Sequence, residues 1–148
     1  MYTGLRCKLI IKEEYREDMN TIVNKFDSTY GFRDNLKSEL LKHFYFNIPR
    51  ATSIPHGGVE LCFPTWDEGD AYGFKNSFDI NTGLLKFECS LKNYEETIEY
   101  FLNNILTQIC EQSFHIEVLY ETWDNSELYK IEDGVLYEIE EKIQYGYF

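Results

Sequence analysis

His115 and Glu117 stand two residues apart in a run of alternating residue types, the spacing that sets an imidazole and a carboxylate on one face of a strand. Side by side they could exchange a proton as an acid–base pair or supply two ligands to a metal. No third ligand accompanies them, so neither chemistry is assigned. His56 precedes Gly57-Gly58, whose backbone amides could face an anion, although a turn is the simpler account. His43 falls beside the apolar stripe of Leu36, Leu40 and Phe44 and reads as a boundary residue. A pocket near His56 or His115, holding a small ligand or an active site, is the alternative that these residues keep open.

The remaining chemistry-bearing residues are sparse. Asp67-Glu68-Gly69-Asp70 could meet a hard cation, but it lacks the alternating carboxylates and distal glutamate of a calcium loop and reads as a solvated turn. Cys7, Cys62, Cys89 and Cys110 are too far apart in sequence for a Cys-x-x-Cys pair or a zinc knuckle, and they read as buried, reduced thiols. No glycine-rich phosphate cradle and no Gly-x-Ser-x-Gly elbow occurs. The sequence therefore assigns no catalytic residue, no metal and no cofactor, and the chain does not read as an enzyme.

Charge is more informative. The chain of 148 residues has a net charge of −12, and it is divided by position: residues 1–60 carry +1 and residues 61–148 carry −13. Such one-sided charge serves solubility or draws a cationic partner. It disfavours direct binding to nucleic acid, whose phosphates would be repelled by everything after residue 60. Apolar residues make up 43% and aromatic residues 17%, too rich for a disordered acidic tail, so the chain folds. With no apolar run long enough to span a bilayer, and Arg6, Lys8 and Lys12 interrupting the first apolar stretch, the expectation is a cytoplasmic protein with no membrane contact.

Hydrophobic periodicity positions these groups. Leu5, Cys7, Leu9 and Ile11 alternate with basic residues in a first strand. Tyr15, Met19, Ile22, Val23 and Phe26 form one helical stripe, and a second helix is expected over 34–46 with Asp34 as its N-cap. Residues 47–58 carry Pro49, Pro55 and the glycine pair and read as an irregular linker. Strands follow around Val59–Phe63, 74–80 and 84–91, the last two joined by Asn81-Thr82-Gly83. Asn93 caps the longest helix, over 94–111, with Glu96 completing a capping box. Strands over 114–123, 127–131 and 135–147 close the chain, with Asp133-Gly134 turning between the last two.

The order β-αα-βββ-α-βββ predicts a single α+β domain over 1–148, an antiparallel sheet of about six to seven strands with helices packed on one face. A faint likeness between 61–67 and 118–124, with Phe44 and Phe101 at the same offset, is compatible with an α-βββ duplication spanning about 34–90 and 91–148. The basic first strand is expected beside an acidic one, because opposite charges across strands attract.

Alternation also defines a candidate interface. If 114–123 and 135–147 share a sheet, Glu117, Leu119, Glu121, Trp123, Glu138 and Glu140 point outward together. Carboxylates interleaved with Trp and Leu suit a protein interface, with aromatic anchors for affinity and charges for steering. The corresponding function is a small inhibitor or immunity-type protein that neutralises a partner with a basic surface, such as a nuclease or another nucleic-acid-handling enzyme. A self-associating adaptor using its terminal strand is a further alternative.

Overall fold

The structure, a computed structural model, describes residues 2–25, 31–58, 73–120 and 125–141. Within these residues six strands, β1 (Tyr2–Ile11), β2 (Ser77–Phe78), β3 (Leu84–Lys92), β4 (Cys110–Tyr120), β5 (Glu127–Glu132) and β6 (Val135–Ile139), form one antiparallel sheet in the order β2-β3-β1-β4-β5-β6. Among the described residues four helices accompany it: α1 (Arg16–Asn24), α2 (Glu39–Asn47), the short turn α3 (Ser53–His56) and α4 over residues 97–109, whose middle, Phe101–Leu106, winds as a π-helix. The α+β architecture and the antiparallel sheet agree with the sequence reading.

Period-2 burial fixes the inner face. Leu5, Cys7, Leu9 and Ile11 of β1 are fully buried, with Leu85, Phe87, Cys89 and Leu91 of β3 and Ile116 and Val118 of β4 beside them. Onto this face α4 packs Ile98, Phe101, Leu102, Ile105, Leu106 and Ile109, all buried. From α2, Phe44 joins this core with its ring 5.5 Å from that of Phe101. The expected cluster of Phe44, Phe101, Leu102 and Ile105 is thus present, whereas Phe26 lies outside the described residues. Cys7, Cys89 and Cys110 are free, buried thiols; burial pushes the Cys7 thiol well above its ordinary pKa and that of Cys110 up to about 11.

Several local expectations are corrected. Asp34 does not cap α2: it sits in a 3-10 segment, Gly31–Asn35, and α2 starts after Ser38, whose hydroxyl accepts from the Leu41 amide at 3.4 Å. The missing element is Asp18 of α1, whose carboxylate accepts the amides of Lys37 at 2.9 Å and Ser38 at 2.7 Å. Asn93 does cap α4, accepting from the Ile98 amide at 2.9 Å, but Glu96 is not its capping-box partner. Glu96 takes a left-handed conformation (φ 57°), and it is Glu99 that accepts from Asn93, through the side-chain Nδ2 rather than the backbone N–H. Cys110, expected at a helix end, begins β4. The two turns are as expected: Gly83 has φ 81°, and Asp133 and Gly134 have φ 50° and 75°. The expected strand around Val59–Phe63, Cys62, the Asp67–Asp70 loop and the segment 142–147 lie outside the described residues.

Candidate functional site

Pairing register decides where the predicted interface residues lie. Arg6 stands opposite Glu88 on β3 and Glu117 on β4, so the basic first strand does run beside acidic partners. These side chains occupy the outer sheet face, away from α4, yet they are not exposed. Arg6 is 3% and Glu117 0% accessible. The Arg6 guanidinium donates to Glu88 Oε1 from Nε at 3.2 Å and Nη2 at 2.7 Å, while Nη1 lies 3.8 Å from Glu117 Oε1. His115 Nε2 meets the same Glu117 oxygen at 2.8 Å. The ring of Phe74 covers the group, with the Arg6 Cζ 4.6 Å and the His115 centroid 4.9 Å from its own centroid.

Glu117 is therefore not a surface anchor, and the expectation of one exposed patch is overturned. Leu119 is also buried, at 3%. Glu121 and Trp123 lie outside the described residues. Glu138 and Glu140 are exposed, but Glu138 is on the other face from Glu117. The register shows this directly: Glu117 pairs with Leu128, Leu128 with Ile139, and Glu138 instead with Tyr129. Residues of β6 that read as core-facing, Val135 and Tyr137, are 47% and 46% exposed. In β6, the outermost strand on its side among the described residues, the expected sense is reversed: Leu136 and Glu138 share the helix-side face, with Leu136 packed against the core.

The histidines are absorbed by the fold. His115 pairs with Glu117, and no group of three His, Cys, Asp or Glu among the described residues could hold a metal. His56 Nε2 lies 2.7 Å from the Ile22 carbonyl, and burial pulls its pKa below the ordinary histidine value. His43 is exposed, and its Nδ1 accepts from the Asn47 side-chain Nδ2 at 3.2 Å.

A recess of about 260 Å³ opens instead at the helix-side face, where α4 begins. Ile98 and Leu102 of α4 face Thr3, Val118 and Tyr120 of the sheet across it. Thr3 and Val118 are short side chains in the layer that Leu5 and Phe87 fill further along the sheet, and the space remains open. Its polar lining comes from Asn93, Glu99 and Glu127, and its further aromatic lining from Tyr94 and Tyr129. Asn93 Nδ2 holds both oxygens of Glu99, at 2.9 and 2.8 Å, and Tyr129 Oη donates to Glu127 Oε2 at 2.6 Å. Among the described residues, the lining has no Lys, Arg or His, and neither Glu99 nor Glu127 has an ion-pair partner.

Tyr129 reports the potential in this recess. Burial pushes its phenol well above the ordinary tyrosine pKa, helped by the hydrogen bond and charge of Glu127 and by the charges of Glu138 and Glu99. Three carboxylates from α4, β5 and β6 thus act on one ring, and Glu138 is the predicted residue that belongs with them. The sequence reading gives no site role to Glu99, Glu127, Tyr94, Tyr120 or Tyr129. The Glu127/Tyr129 spacing was the available signal, since i and i+2 share a strand face.

No family model, curated protein or solved structure matches the chain, so its chemistry is read from its own residues.

Proposed function

We propose that this is a binding protein that engages, and thereby neutralises, a partner with a basic surface, in the manner of a toxin-immunity or counter-defence inhibitor acting in the cytoplasm. The observation that carries this reading is the recess of Glu99 and Glu127 among tyrosines, with Glu138 beside it, on a chain of net charge −12. Carboxylates accelerate encounter with a cationic surface and select against anionic ones, while aromatic side chains supply desolvated contact area. A nuclease or another nucleic-acid-handling enzyme has such a surface, because it must attract phosphate. The alternative of an active site or ligand pocket around His56 or His115 is less well supported, since both imidazoles are engaged by the fold itself.

The test is capture of partners from the native host, identification by mass spectrometry, and reconstitution of the complex from purified components. A basic enzyme whose activity falls on complex formation, with affinity declining as salt rises, is the expected result. A purified partner with an acidic surface, or a complex indifferent to ionic strength, would overturn the reading.

A further inference from the structure

We propose that the recess between α4 and strands β1, β4 and β5 is a receptor for a single guanidinium or alkylammonium group, the side chain of one arginine or lysine of the partner protein. This rests on the reading of the protein as a binder of a basic surface and names the contact that would give it specificity.

Four observations point to that occupant. The volume, about 260 Å³, lies just under the ~300–1,000 Å³ typical of small-molecule sites and suits one long side chain. Two carboxylates reach it without a cation among the described residues to neutralise them. Both are preorganised by donors that leave acceptor capacity, since Glu127 Oε1 is not used by Tyr129 and each Glu99 oxygen has a second lone pair. Finally, Tyr94, Tyr120 and Tyr129 line the same space, and a diffuse cation is attracted to aromatic rings. The protein already uses this contact at one of them: the Arg50 guanidinium stands 5.6 Å from the Tyr94 centroid, though Arg50 does not line the recess.

Other occupants fit less well. An anion would face Glu99 and Glu127. A neutral apolar group would take water from two carboxylates and return no hydrogen bond. A hard dication needs six or more oxygens, or several waters, and the tyrosine lining does not supply them.

The test uses n-butylguanidinium and n-butylammonium as probes, with n-butylurea as the uncharged shape match, titrated into the isotopically labelled protein. Both cations are expected to shift the Leu102, Val118 and Tyr129 resonances with affinities on the order of millimolar, while butylurea leaves them unmoved. E99Q and E127Q keep shape and should each weaken binding about tenfold, with unchanged amide spectra showing that the fold is intact. Equal shifts from butylurea, or none from the cations, would overturn the inference.

The reconstituted complex separates this inference from the broader reading. There, E99Q with E127Q should raise the dissociation rate at least about tenfold. If that rate is unchanged while charge reversal at Glu138 and Glu140 slows association, the recess is not the contact and the basic-partner reading stands. If the cations bind but no basic protein does, the broader reading fails, and the site belongs to a free organic cation rather than to a side chain.

Discussion

Arg6 and Glu117 hold opposite charges almost wholly out of water, where their attraction must offset the hydration that both have lost. Such a group is sensitive to the loss of one member more than to its presence. Glu117→Ala leaves Arg6 buried with Glu88 as its remaining ion-pair partner among the described residues, and strips His115 of its carboxylate. It should destabilise the fold by about 3–5 kcal/mol, read as a large drop in the thermal midpoint. The Arg6→Ala/Glu117→Ala double variant should lose less than the sum of the single losses, because the two sites share one network. If Glu117→Ala instead melts with the parent, the buried network contributes nothing and Glu117 must be sought on the surface. His56 gives a pH test at the same scale. Its neutral ring donates from Nε2 to the Ile22 carbonyl, and burial depresses its pKa in the folded chain although that hydrogen bond opposes the shift. The unfolded chain takes up its proton near the ordinary value of about 6.5. The His56 contribution is therefore complete above that pH and is lost as pH falls toward the folded value. His56→Gln, which keeps a donor for Ile22, should flatten the stability profile below neutrality. An unaltered slope in denaturant titrations at several pH values would show that His56 does not couple folding to protons.

At the scale of elements, helix starts depend on partners distant in sequence. Asp18 accepts the amides of Lys37 and Ser38 just ahead of α2, and Ser38 accepts that of Leu41 inside it, so Asp18→Ala, which strands two amides, should cost about 2–3 kcal/mol. Asp18→Asn, which keeps an acceptor, should cost less in the same chemical denaturation. The seat of α3 against β3 is tighter still. A Cβ on Gly57 would come 2.2 Å from the Ser90 carbonyl and 2.9 Å from that of Ser53. Its φ of −62° is open to any residue, so the glycine answers to a close approach rather than to backbone strain. Gly57→Ala should destabilise by about 1–3 kcal/mol, and a stable variant would mean that α3 can lift from β3. These cases mark what local patterns can reach. The inner face was legible because period 2 on β1 and β3 and the stripe on α4 each report one buried side. The tight turns were legible because Gly83 and Gly134 carry positive φ. The Asp18 cap and the burial of Glu117 were not, since both depend on residues far apart in the chain. Nor was the face of β6: alternation gives two faces but not which one a helix covers, and at an edge the apolar set can remain in water. The recess depends on both unknowns, because it needs Glu127 and Glu138 on the helix side and α4 beginning where Thr3 and Val118 leave space.

For the molecule as a whole, the question is whether charge acts as a total or through its placement. A total of −12 attracts any cation at long range, and salt screens that attraction over roughly 8–10 Å. Placement matters if the encounter is oriented, and the exposed acids divide into groups that can be compared. Glu138 stands beside the recess, and Glu140 follows at the end of β6. Glu13 and Glu14 are exposed beyond Ile11, at the end of β1 opposite to Thr3 and the recess. Reversing either pair to lysine changes the net charge equally, from −12 to −8, since each substitution adds two units and two are made. If placement governs, E138K/E140K should slow association with the reconstituted partner several-fold more than E13K/E14K does. The gap should narrow as ionic strength rises and the long-range field is screened. Dissociation should change little in either variant, because exposed charges act chiefly on encounter. Stopped-flow association measured at low and high salt reads the difference directly. Equal slowing by both pairs would make the protein an unoriented polyanion to its partner. Slowing by E13K/E14K alone would move the interface to the opposite end of the sheet.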